Sequence, residues 1–319
     1  MDIQTNRNYI TVSVILRPGV IWQSGHDWRL TRRFTIQTLR DFGVGKTSLE
    51  EKIFSEIDPA TEYIKATGAK RFNPRQLTSM MITNNIYGIV FGKRFDFDEA
   101  DLHSMIEKLD LLFCRGEPGS AEGGFPEWLL KVVNKSCCSM GGGGKQFDWV
   151  VLSIYFTAGN MNRMIMDLFL AGSETTSNTV NWTLLYLQEY PDLQTKCRHE
   201  IQQACGGRNV SWTDRGTLPY TEAFLLEVQR ISNIAEFSLP HTNQVQVTLG
   251  GYNIPAHSLI RANLYSANMD RKYWSDPHKF NPDRFLKNGK TFGHPAFMPF
   301  STAKCWYQCY SYSSSIVSY

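Results

Sequence analysis

Between Asn160 and Glu189 apolar side chains recur at helical spacing. Roughly 30 residues at 1.5 Å each make a helix roughly 45 Å long. An element of that reach crosses a domain centre, and the rest of the chain has to pack around it. Its middle carries Ala171-Gly172-Ser173-Glu174-Thr175-Thr176, where a helix-interior glycine costs roughly 1 kcal/mol against alanine and two threonines add nothing to helicity. The small Ala171-Gly172 pair would let a flat ligand approach the backbone. Thr175 can bond the carbonyl four residues back or help open a local bulge. Glu174 and Thr175 then place a carboxylate beside a hydroxyl, the parts of a proton relay. A helix-packing notch with a solvated Glu174 is the other reading, and the hexapeptide alone leaves both open.

Around this helix the chain reads as mainly α with minor β. Residues 9–16 are β-branched and partly alternating, a strand or a loosely ordered lead-in. Ser24 to Leu39 repeats Trp28, Phe34 and Leu39 at helical spacing and closes at Gly43 and Gly45. Ser48 to Ile57 and Pro74 to Phe91 predict two more helices, the second ending at Gly92. Residues 114–147 hold scattered glycines and prolines and the run Gly141–Gly144, which predicts a loop or linker. Pro191 ends the long helix and suits the first turn of the next, which runs to about Ala204 before Gly206-Gly207. A short helix is predicted over Thr221 to Ile231. Val245, Val247 and Leu249 alternate, Gly250-Gly251 turns, and Tyr252 to Ile254 returns as a hairpin. The Ser- and Tyr-rich tail from Trp306 resembles no packed element.

Composition narrows the function classes. The chain has 319 residues, 42% hydrophobic and 20% charged, which is ordinary globular usage and excludes a disordered or fibrous chain. A net charge of +3 without a run of like charges gives no basis for a nucleic-acid partner. The seven cysteines, Cys114, Cys137, Cys138, Cys197, Cys205, Cys305 and Cys309, lack the spacing of a zinc site or a small disulfide scaffold and fit a reducing compartment. No run approaches 18 apolar residues, so the sequence offers no membrane anchor, and its start lacks the features of a signal peptide.

Three further constellations carry chemistry. Glu227 and Arg230 lie at i,i+3 on one helix face, and Arg284, in Asn281-Pro282-Asp283-Arg284-Phe285, can close over the carboxylate. Trp28 and Arg32 at i,i+4 put an indole N–H and a guanidinium on one face, able to grip a carboxylate, unless Trp28 is a core residue with Arg32 lying over it. His241, after Pro240, is a donor for a second carboxylate or a structural histidine.

In order and spacing these features, with Arg32-Arg33-Phe34, Leu39-Arg40-Asp41-Phe42-Gly43, Phe91-Gly92-Lys93-Arg94-Phe95 and Phe297-Met298-Pro299-Phe300-Ser301-Thr302, resemble the cytochrome P-450 family, most closely its microsomal family 2 branch. The resemblance covers Gly19 to about Phe113 and Arg163 to Phe300. It implies a truncated form of that fold, with residues 1–18 a poorly matched lead-in, 19–113 the N-terminal helical part, 114–160 an aberrant Gly-rich linker, 161–302 the core and 303–319 an aberrant tail. It also implies a haem cofactor, with Trp28, Arg32 and His241 near its propionates and Ala171, Gly172 and Phe300 beside it. Glu174 and Thr175 would belong to the oxygen-activating helix, and Glu227, Arg230 and Arg284 to a structural ion network. The partners implied are a flavoprotein reductase delivering NADPH-derived electrons and a small lipophilic substrate, at the surface of the endoplasmic reticulum membrane.

One position departs from the pattern. In the family the segment after Phe300 runs on through a glycine, an arginine and a cysteine that holds the iron. In register, those positions are Ala303, Cys305 and Tyr307. Cys305 and Cys309 flank the ligand position by two residues each, roughly 6–7 Å of extended chain, so either reaches iron only in a rebuilt loop. A monooxygenase and a catalytically silent, haem-poor fragment from a faulty gene model or splice form are therefore both expectations for this polypeptide.

Overall fold

A computed structural model describes residues 19–21, 23–44, 49–68, 70–114 and 158–301. The chain divides into two compact units, with the boundary between Ser177 and Asn178. The first contains helices α1 (Gly25–Asp41), α2 (Glu50–Ala66), α3 (Pro74–Phe91), α4 (Ala100–Cys114) and the first two thirds of α5 (Ala158–Glu189). Helix α3 occupies the span its sequence predicts. Asn73 caps it by accepting from the Arg75 N–H at 3.0 Å, Pro74 fills the first turn, and Gly92 ends it. From Leu77 to Phe91 nearly every residue of α3 is buried, with α2 and α4 packed against it. Tyr87, Phe91, Phe95 and Phe169 form an aromatic cluster with neighbouring centroids 4.4–6.3 Å apart.

Glu56 and Asn84 form a buried polar pair inside this unit. Glu56, 2% exposed, accepts from Arg94 Nε at 2.9 Å and Asn84 Nδ2 at 3.1 Å, while Asn84 also exchanges hydrogen bonds with the Phe95 backbone.

Two expectations need correction here. Helix α2 continues past Ile57 to Ala66 with Pro59 inside it. An interior proline removes a hydrogen bond at a cost of roughly 3 kcal/mol; beyond it Ala60 is buried, while Thr61 to Ala66 are exposed. Helix α4 was not anticipated, although Leu102, Met105, Ile106 and Leu109 repeat at helical spacing and are all buried. The strand over residues 9–16, residues 115–147 of the loop expected over 114–147 and the tail from Trp306 lie outside the described residues, while Cys114 ends α4 and is not loop.

The second unit is organised on α7 (Pro219–Ser232), against which pack α6 (Pro191–Cys205), α8 (Leu264–Met269), the strand β6 (Lys290–Thr291) and a 3₁₀ turn, Pro282–Phe285. Its strands pair antiparallel: β1 (His241–Thr242) with β4 (Leu259–Ile260), β2 (Val247–Leu249) with β3 (Tyr252–Ile254), and β5 (Leu286–Lys287) with β6. Gly250 and Gly251, with φ of 58° and 85°, form the two-residue turn that the twist of β2 and β3 favours. One apolar cluster gathers Ala223, Leu226, Trp274, Phe285 and Ala296, and another Cys197, Phe224, Val228 and Phe280. Among the described residues strands are confined to these three ladders, so the fold is mainly α with minor β, as the sequence implies.

Candidate functional site

In the first unit the Ala171–Thr176 notch lies on unbroken α-helix. Gly172, Ser173, Thr176 and Ser177 are buried. The Thr175 hydroxyl donates to the Ala171 carbonyl at 2.6 Å, the backward bond its position allows. Glu174, its side chain 14% exposed, accepts from Arg75 Nη2 of α3 at 3.5 Å, and the same nitrogen reaches Asp110 at 3.3 Å. A small cavity beside them is lined by Ser79, Thr83, Asp110, Ser173, Glu174 and Ser177 among others. Glu174 is thus held against a guanidinium and does not stand in solvent.

One turn earlier on α5 is a residue that sequence reasoning missed. Asp167 accepts from the Val20 and Ile21 amides at 2.7 and 3.0 Å, with Arg163 Nε 3.8 Å away, and its side chain is 4% exposed. Burial pushes its carboxyl up to about 6, against the opposing pull of the two amides and Arg163. The available signal was an aspartate amid Met164, Ile165, Met166 and Phe169, four residues after an arginine. The same Val20 residue engages Trp28, whose indole N–H donates to the Val20 carbonyl at 3.0 Å. The Arg32 guanidinium lies 5.5 Å from the Trp28 ring centroid, so the pair shares a face as its spacing requires.

In the second unit Glu227, Arg230 and Arg284 are brought together. Glu227 and Arg230 have no exposed side-chain surface and meet through two parallel bonds, Nε to Oε2 at 2.7 Å and Nη2 to Oε1 at 2.8 Å. Arg230 also donates to the carbonyls of Asn268 and Pro277, both at 2.8 Å, and its Nη1 lies 3.7 Å from Met269 Sδ, which engages all five of its N–H groups. Its guanidinium lies 5.2 Å from the Trp274 ring centroid. Arg284 Nε reaches Glu227 Oε1 at 3.3 Å and its two terminal nitrogens donate to the carbonyls of Ser275, Asp276 and Lys279. The Asn281 amide adds a bond to Glu227 at 2.9 Å. One carboxylate and two guanidiniums leave a net positive charge, and the backbone carbonyls of four neighbouring loop residues and one helix residue accept its remaining hydrogens.

His241 is exposed on β1, opposite Ile260. Phe300 is buried, 4% exposed, and Phe297 meets Phe285 at a centroid distance of 5.0 Å. Two cysteine side chains are described, Cys197 and Cys205. Cys197 is packed in an apolar cluster, where burial raises its thiol to about 11, and the Cys205 thiol points to Asp214 at 3.8 Å. Cys305, Tyr307 and Cys309 lie outside the described residues. Among the described residues no group of three or more His, Cys, Asp or Glu side chains could hold a metal ion.

The profile of one protein family, described as Cytochrome P-450, matches residues 5–116 and 153–303. Similar curated proteins include cytochrome P-450 2J3 of Rattus norvegicus, 34% identical over 90% of this chain, cytochrome P-450 2J2 of Homo sapiens, 33% identical over 91%, and cytochrome P-450 2U1 of Bos taurus, 31% identical over 95%. The aligned region is 64%, 65% and 63% of those relatives, so the chain spans less than two thirds of their length. With the profile matching most of its residues and the Glu227–Arg230–Arg284 cluster assembled in its second unit, the chain belongs to the cytochrome P-450 family.

Proposed function

We propose that this protein is a haem-dependent monooxygenase. It inserts one atom of O₂ into a small lipophilic organic substrate and reduces the other to water with two electrons and two protons. The electrons originate in NADPH and arrive through a flavoprotein reductase at the endoplasmic reticulum membrane surface. Family membership implies the haem, and the observation that carries the reading is the fully bonded Glu227–Arg230–Arg284 cluster beside the Phe297–Phe300 segment.

The donor chemistry fits haem at the chain's closing segment. Cys197 and Cys205 are engaged elsewhere, and the family resemblance puts the iron ligand beyond Ser301, where Tyr307 holds the ligand position between Cys305 and Cys309. Phenolate and thiolate both ligate haem iron, and the thiolate is the ligand that pushes electron density onto it to favour O–O cleavage in monooxygenases. The monooxygenase reading therefore requires Cys305 or Cys309. When bound, the haem supplies the oxygen-activating chemistry. Glu174, partly open to solvent and held by Arg75, delivers protons toward the Thr175 hydroxyl on the same helix. Ala171 and Gly172 leave the helix surface low enough for a flat ring. Trp28, Arg32 and His241 hold the propionates, for which Trp28 exchanges its present bond to the Val20 carbonyl. No helix among the described residues is long and apolar enough to cross a membrane.

The test is to express the chain with haem supplied, reduce it, add carbon monoxide and record the Soret band. A thiolate-type red shift that disappears in either Cys305→Ser or Cys309→Ser is expected. Absence of bound haem in the wild type, with haem and the red shift gained in Tyr307→Cys, overturns the proposal in favour of a silent, haem-poor chain.

A further inference from the structure

Asn268, on the short helix α8, has no exposed surface and stands between the ion cluster and the Phe297–Ser301 segment. Its side-chain amide grips one residue of that segment at two points: Oδ1 accepts from the Met298 N–H at 2.9 Å and Nδ2 donates to the Met298 carbonyl at 3.2 Å. The second Nδ2 hydrogen goes to Asn233 Oδ1 at 3.0 Å, on the residue that ends α7. The backbone carbonyl of Asn268 accepts from Arg230 Nη1 at 2.8 Å. One residue therefore bonds the cluster through its main chain and the Met298 backbone through its side chain, inside a dry site where an unmet amide is costly.

We infer that Asn268 is a positioning residue: it fixes Met298, and with it the entry to the iron-binding loop, to the Glu227–Arg230–Arg284 cluster. The purpose assigned to the loop rests on the haem reading above, whereas the grip itself does not. Leu264 and Ala267 anchor α8 independently, through burial and through the Trp274 indole N–H, which donates to the Ala267 carbonyl at 3.1 Å. A change confined to the Asn268 amide is thus expected to free Met298 while leaving α8 in place.

Hydrogen–deuterium exchange of the full chain, read at the peptide that contains Met298, tests the grip without haem. Asn268→Leu removes both bonds at similar volume and is expected to speed exchange there roughly ten-fold or more. Asn268→Asp keeps the acceptor for the Met298 N–H and is expected to retain most of the protection. Asn233→Gly suits the left-handed backbone at that position, φ 46°, removes only the third bond of the amide and is expected to leave Met298 unchanged. Unaltered exchange in Asn268→Leu, or equal acceleration in Asn233→Gly, overturns the inference. Should Asn268→Leu fail to fold, the comparison of Asn268→Asp with Asn233→Gly decides it, with exchange in the glycine variant as fast as or faster than in the aspartate variant counting against the grip. In haem-loaded protein the Leu variant is further expected to lose part of the red-shifted Soret band at unchanged total haem, and Asn268→Asp to recover it. A wild type that takes up no haem defeats the monooxygenase proposal and leaves the exchange result standing.

Discussion

Glu227 and Asp167 are both carboxylates buried on helices, and the molecule treats them differently. Glu227 faces two guanidiniums and a backbone amide, and its principal partner bonds two further carbonyls with hydrogens it does not use on Glu227. Asp167 has two amides on one oxygen and a guanidinium only at 3.8 Å, and its carboxyl is pushed up to about 6. The two carboxylates thus share burial and differ in the number and charge of their partners.

The sharpest way to break this contrast is Glu227→Ala, which strands Arg230 and Arg284 and is expected to cost about 3–5 kcal/mol in denaturant unfolding. The double variant Glu227→Leu with Arg230→Met should recover only part of that loss, because the Asn268 and Pro277 carbonyls would then lack their donor. Full recovery would mean the carbonyl bonds contribute nothing.

Asp167→Ala leaves two amides without an acceptor and is expected to cost about 2–3 kcal/mol. Asp167→Asn keeps an acceptor and removes the charge, so it is expected to be neutral or stabilising by about 1 kcal/mol at pH 7. The sign with pH follows from the raised value. The folded chain holds the Asp167 proton up to about pH 6, whereas the ordinary carboxyl value is 3.8. This group's contribution is fully present below about pH 4 and is lost as pH rises through 6, by at most about 3 kcal/mol. Unfolding measured from pH 4 to 7 should show that decline in wild type and a flatter course in Asp167→Asn; equal slopes would remove Asp167 from the comparison. The smallest effect is expected from Arg75→Ala, since its half-exposed side chain joins pairs worth about 0–1 kcal/mol.

Local periodicity made most helices legible. The boundaries of α3, α5, α6 and α7 fall within two residues of those the sequence implies, because a proline or cap starts most of them and glycine, asparagine or proline follows. Helix α2 ran past its expected end through Pro59, although Ala60 is the one buried residue of the added turns. The bidentate contact of Glu227 with Arg230 was readable from i,i+3 spacing, but its burial was not, nor were the carbonyls that complete it, which come from 38 and 47 residues away. Asp167 and Asn268 escaped for a related reason. Each bonds main-chain amides, and a backbone partner leaves no residue type to recognise in the sequence.

The turn at Gly19 links two positions far apart in the chain. Its φ is +153°, and a Cβ there would overlap Asp167 Oδ2 and lie 2.8 Å from Arg163 Cγ. Any side chain at 19 therefore displaces the very amides that accompany the buried acid. A library varying 19 and 167 together should keep glycine at 19, because the +153° backbone and Arg163 Cγ oppose a Cβ whatever stands at 167, and should exclude alanine there most strongly beside aspartate.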